Sequence, residues 1–143
     1  MSIPQIVIDT NVLIAALRSR RGASAKLISL LGTGQFENHL SVPLVLEYEE
    51  TVRRHQDAIH LSSTDIVDLI DSLCALSIRH EIYYLWRPYL SDPGDDLVLE
   101  LAISARCETI VTYNLSDFVG VDQFGVQAMT PRDFLHSIGE VKS

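Results

Sequence analysis

Several acidic and amide side chains in this chain fall where chemistry is done in α/β proteins. Asp9 directly follows the apolar run Ile6-Val7-Ile8, and Thr10-Asn11-Val12-Leu13-Ile14 then restarts as an apolar helix. Ligands of open α/β sheets gather outside the carboxyl ends of the strands, which makes Asp9 a site candidate; its plainer use is to cap the helix that follows. Asn11 is placed to support it by hydrogen bonding, and Thr10 reads as a backbone-capping residue. Glu47 lies among Leu44, Leu46 and Tyr48, whereas Glu49, Glu50, Arg53 and Arg54 fall at positions expected to be wet. A glutamate in apolar surroundings demands a metal or an arginine, because desolvation disfavours its charged form. Asp95 and Asp96 open a later helix, where acids also serve the helix dipole. Asp95 shares a side with Leu99 and Ala102, while Asp96 shares one with Glu100, Ser104 and Cys107 and is expected to face water, so the face argument favours Asp95. Thr112, Asn114 and Asp117 follow another short apolar strand. Acids from separate elements repel one another if they converge, so convergence implies a bound cation. All-oxygen ligation points to Mg²⁺ or Mn²⁺, since His39, His55, His60, His80 and His136 show no zinc-type spacing.

The elements that must position these groups alternate along the chain. Apolar runs predict strands at Ile3 to Ile8, His39 to Val42, Ser77 to Tyr84, Thr109 to Thr112 and Val126 to Ala128. Helical spacing predicts helices from Ser24 to Leu31, from Pro43 to about His55, after the Ser62-Ser63-Thr64-Asp65 cap, from Asp95 to about Arg106, and after Thr130-Pro131. Trp86-Arg87-Pro88 and Ser91-Asp92-Pro93-Gly94 read as the loop that delivers Asp95 and Asp96. Strands alternating with helices predict an α/β sandwich around a parallel sheet, in one domain over residues 1–139 with a short tail at 140–143.

Composition bounds the function. The 143 residues are 47% hydrophobic, enough for a sizeable core, and no apolar run approaches the ~20 residues of a membrane span. Cys74 and Cys107 have neither metal-ligand spacing nor a disulfide-rich setting, which fits a reduced cytoplasmic protein. The net charge of -8 argues against nonspecific adhesion to nucleic acid, unless cations offset the acids or the basic residues cluster. Arg18, Arg20 and Arg21 do cluster, and they are the candidates for phosphate-backbone contact.

Taken in order, Val7 to Leu13, Ser41 to Tyr48, Asp92 to Asp96, Ile110 to Phe118, and Phe124 to Val126 with Thr130 to Leu135 resemble the PIN-domain ribonucleases, and among them the toxins of VapC-like toxin-antitoxin pairs. The resemblance covers nearly the whole chain. It implies a PIN-like three-layer sandwich with a central, mostly parallel sheet flanked by helices, holding one or two Mg²⁺ or Mn²⁺ ions on a quartet of acidic or polar residues. Carried over, the quartet is Asp9, Glu47, Asp95 or Asp96, and Asn114; the last stands where the family often has Asp, and Asp117 is placed to compensate. Thr112 and Asn11 would support them. Implied partners are an RNA substrate, a cognate antitoxin and a second copy of the chain, and no membrane. The chemistry implied is hydrolysis of an RNA phosphodiester. The rival is a catalytically silent PIN fold that serves as an RNA-binding or protein-interaction module. A receiver domain would want a late-strand lysine, but the chain has only Lys26 and Lys142, and a haloacid-dehalogenase-type phosphatase would want Asp where Asn11 stands.

Overall fold

The computed structural model describes residues 3–81, 90 and 92–140. Five strands form one sheet: β1 (Gln5–Ile8), β2 (Glu37–Ser41), β3 (Ile78–His80), β4 (Thr109–Val111) and β5 (Gln127–Met129). Their order is β3-β2-β1-β4-β5, and all four pairings are parallel. The helices are α1 (Thr10–Arg18), α2 (Ala23–Ser29), α3 (Val42–Arg54), α4 (Ser63–Ala75), α5 (Pro93–Ser104) and α6 (Pro131–Ser137). Of the strand expected from Ser77 to Tyr84, residues 82–84 lie outside the described residues, as do Trp86-Arg87-Pro88, Ser91 and tail residues 141–143.

Side chains alternate between the two faces of a strand, yet Ile6, Val7 and Ile8 are all buried, and so are Thr109, Ile110 and Val111. Both faces of the central strands are therefore covered, which makes the architecture a three-layer sandwich with helices outside a parallel sheet. Phe36 and Phe134, edge to face at 5.4 Å, belong to the same core. His39 is an ordinary core histidine: it is buried, stacks on His80 and exchanges a 2.7 Å hydrogen bond with it.

From β1 the chain steps through β2 to β3, then crosses back to β4 and β5 on the other side. The order reverses between β1 and β4, and the crevice beyond their carboxyl ends is the switch point where ligands of such sheets bind. Register brings Ile8 opposite Val111. The next residues, Asp9 and Thr112, consequently meet at that crevice.

Helix starts are set by local chemistry. Asp9, Ser41, Ser62, Asp92 and Thr130 each accept a backbone N–H at the first turn, and proline stands in the first turn of α3, α5 and α6. In α5 the start falls at Pro93, two residues earlier than the sequence pattern predicts, with Asp92 as the cap.

The β1–β2 pairing ends at Ile6 and Asn38, so the Ile8 carbonyl lies beyond it. The buried Tyr48 hydroxyl of α3 donates to that carbonyl and ties α3 to the strand end that carries Asp9. Burial, with Asp9 and Glu47 nearby, holds the phenol well above its ordinary pKa, so it stays a neutral donor. Tyr48→Phe should cost about 1–2 kcal/mol by orphaning the carbonyl, read as a melting temperature lower by several degrees.

Candidate active site

Asp9 is only 6% exposed, and its carboxylate is held from three directions. Oδ1 accepts the Thr10 N–H at 2.8 Å, while Oδ2 accepts the Thr112 hydroxyl at 2.8 Å and the Asn11 amide at 3.1 Å. Asn11 Oδ1 in turn accepts the Tyr113 N–H at 3.2 Å, and Thr112 Oγ1 accepts the Asn114 N–H at 3.0 Å. The turn after β4 is thereby fastened to the start of α1. Burial raises the Asp9 pKa and the nearby Glu47 and Asp117 add to the rise, against the Thr112 and Thr10 hydrogen bonds that lower it.

Glu47, half-buried at mid-helix on α3, makes no ion pair among the described residues. Its Oε2 accepts the Thr10 hydroxyl at 2.6 Å. Thr10 is thus the first residue of α1 and a positioning residue for Glu47, not the expected cap, because Asp9 fills that position. A Cβ at Gly94, in the first turn of α5, would stand 2.5 Å from Glu47 Oε1. The missing side chain is what lets α5 approach the glutamate.

Asp9, Glu47, Asp95 and Asn114 line one cavity of about 650 Å³, together with Asp92 and Asn11. Asp95 is half-buried, and its pKa is pushed up to about 7 by burial first and then by Asp9, Asp92, Asp117 and Glu47. Asp96 does not face water as its stripe predicted: it is 8% exposed, and Oδ1 accepts the Leu90 N–H at 2.7 Å. The stripe misled because it runs from shelter into solvent and back: Ser104 is exposed as predicted, but Cys107 is buried and the half-buried Glu100 carries a burial-raised pKa. Asp117 sits exposed in the 3-10 turn Leu115–Phe118, outside the cavity lining, though its charge reaches Asp9 and Asp95.

Of the three clustered arginines only Arg18 lines this cavity. Arg20 is exposed in the turn after α1, and Arg21 borders a separate hollow with Lys26 and Arg132. Sequence reasoning missed three residues of the opposite wall, Thr51, Arg54 and His55. Their signal was the spacing of four and then three residues from Glu47, which returns Thr51 and Arg54 to its face of the helix.

These donors suit a hard divalent cation. Among the described residues no three acidic, imidazole or thiol groups stand close enough to form a closed cage. Mg²⁺ seldom uses one, because it dehydrates reluctantly and takes one or two carboxylates completed by water. The raised Asp95 pKa reflects burial first and then the negative charge gathered around it.

A family model described as PIN domain matches residues 5–116. The chain belongs to the PIN-domain family. No curated protein matches it. Among solved structures, 12 chains match. One belongs to VapBC2 from Rickettsia felis bound to a DNA fragment from their promoter, with a TM-score of 0.61 and 13% identity over 88% of this chain and 98% of that one. At that identity the likeness bears on the fold alone.

Two expectations follow from this geometry. Without metal, folded Asp95 keeps its proton up to about pH 7, while the unfolded chain releases it near 3.8. The native state then binds more protons across that window, so this group makes stability fall as pH rises through it. Asp95→Asn should flatten that fall and raise the melting temperature in EDTA at pH 8 by on the order of 3 °C, as about 1 kcal/mol does in a domain of this size once solvent screening is allowed for. An unchanged pH profile would exclude Asp95 as its source. Gly94→Ala should leave the melting temperature level or slightly higher, since alanine is the better helix former, while displacing Glu47 and weakening Mn²⁺ binding in calorimetry.

Proposed function

We propose that this protein is a metal-dependent endoribonuclease, the toxin of a toxin-antitoxin pair, acting in the cytoplasm with Asp9, Glu47, Asp95 and Asn114 as its catalytic set. The carrying observation is the convergence of three carboxylates and an amide on one cavity at the β1–β4 switch point. Membership of the PIN-domain family supports hydrolysis of RNA, and the fold shared with VapBC2 supports pairing with an antitoxin. A homodimer is the proposed assembly. Among the described residues no helix is long and apolar enough to cross a membrane.

Asp9 and Asp95 would hold Mg²⁺ or Mn²⁺ with water completing its shell, and Glu47 would reach it directly or through one of those waters, with Asn114 adding a neutral oxygen and Asp96 and Asp117 outside the ligand set. When bound, the cation supplies a nucleophilic water at neutral pH and neutralises charge that develops on the phosphate. The protein's own groups do the rest. Thr10 N–H, Asn11 and Thr112 aim the Asp9 carboxylate, and Thr10 Oγ1 aims Glu47, so both acids are oriented before substrate arrives. Asn114, whose N–H is pinned to Thr112, presents its amide beside the acids without adding to their repulsion.

The deciding experiment is cleavage of single-stranded RNA by the purified protein with Mg²⁺, Mn²⁺ or EDTA, beside Asp9→Asn and Glu47→Gln. Cleavage should require the metal and fall about 100-fold or more in each variant, at or beyond the roughly 10–100-fold lost when a group that only orients a metal ligand is removed. RNA bound equally well with and without metal, with no cleavage of varied RNAs, would favour the silent binding module instead.

A further inference from the structure

The cavity has a second pole. α1 and α3 pack side by side and are tied at the acid end by the Thr10–Glu47 hydrogen bond. Eight residues beyond that tie, at a rise of about 12 Å, stand Arg18 on α1 and His55 after α3. The lining residues recur at helical spacing on both: Asn11, Ala15 and Arg18 on one, Glu47, Thr51 and Arg54 on the other. The hollow is therefore a groove with acids at one end, a floor of Ile14, Ala15 and Thr51, and Arg18, Arg54 and His55 at the other.

The basic end is not neutralised by its surroundings. Among the described residues neither Arg18 nor Arg54 forms an ion pair, although acids line the same cavity, whereas neighbouring Arg53 pairs with Glu49 at 3.0 Å. Thr51 organises this end from both sides. Its hydroxyl receives Arg54 Nη2 at 3.2 Å, and its carbonyl lies 2.9 Å from His55 Nδ1. A carbonyl can only accept, so Nδ1 carries a proton, and Nε2 can donate to a phosphate oxygen only when the ring carries both protons.

Resting on the nuclease reading above, we propose that Arg18, Arg54 and His55 form a second phosphate subsite, which grips the RNA backbone away from the scissile phosphate so that one strand lies along the groove. The basic pole attracts phosphate without metal, while the acidic pole repels it until a cation arrives. Initial capture of RNA and its cleavage therefore depend on different residues. Cations in the last turn of a helix also favour its dipole, but that role would show in stability and not in RNA binding.

The test is fluorescence anisotropy of a labelled single-stranded RNA against salt, in EDTA and in Mg²⁺, for the wild type, Arg18→Gln, Arg54→Gln, the double variant and Asp9→Asn. Each arginine removed should weaken binding several-fold and reduce the slope of log K against log salt by about 0.7, with melting temperature and Mn²⁺ affinity unchanged. Asp9→Asn should keep the wild-type slope in EDTA. A double variant with the wild-type slope overturns the subsite while leaving the nuclease intact. Polyglutamate that displaces RNA as effectively as unlabelled RNA would mark an acidic-protein docking surface and overturn it too. A wild type that neither binds nor cleaves any RNA removes the nuclease reading first and the subsite with it.

Discussion

Like charges crowded at the end of a buried strand are the constraint that organises this molecule. Carboxylates of Asp9, Glu47 and Asp95 repel one another in a partly desolvated hollow, and each is restrained in a different way. Asp9 is surrounded by donors, Glu47 leans on a threonine hydroxyl, and Asp95 holds its proton to about pH 7. Such a cluster is destabilising on its own, and its persistence means that the surrounding framework over-determines it.

That framework is the parallel sheet with helices on both sides. Register between β1 and β4 sets Thr112 beside Asp9, and the reversal of strand order there opens the crevice. Tyr48 fixes α3 to the same strand end, and Gly94 lets α5 close on Glu47. Each acid thus comes from a separate element, but the framework sets all three around one hollow, as the proposed cation site requires.

The parts that were legible in the sequence are those governed by local pattern. Ile6 to Ile8 read as a fully buried strand because both its faces are apolar, and caps such as Ser62 and Thr130 announced their helices. Asp9 stood out because it terminates that strand. Asp96 was misread because helical periodicity says which residues share a face, not what packs there, and Leu90 reaches it from outside the helix. The Thr10–Glu47 bond spans 37 residues, and no local pattern carries information over such a separation. Arg54 and His55 were passed over for a different reason: charged residues at a helix end are ordinarily solvated, and only the groove formed with α1 gives them a shared face.

The bond between Asp9 and Thr112 joins residues 103 apart, which has a consequence for how the protein comes into being. Contacts of such separation are intrinsically slow to form, because the intervening chain must be ordered before they stabilise anything. During synthesis Asp9 and Glu47 leave the ribosome long before Thr112 does, so the growing chain holds the pieces of the centre without their arrangement. For a protein proposed to cut RNA inside the cell that makes it, this order of events is protective: the ribosome finishes β4 before the chain it carries can fold into anything able to attack an RNA.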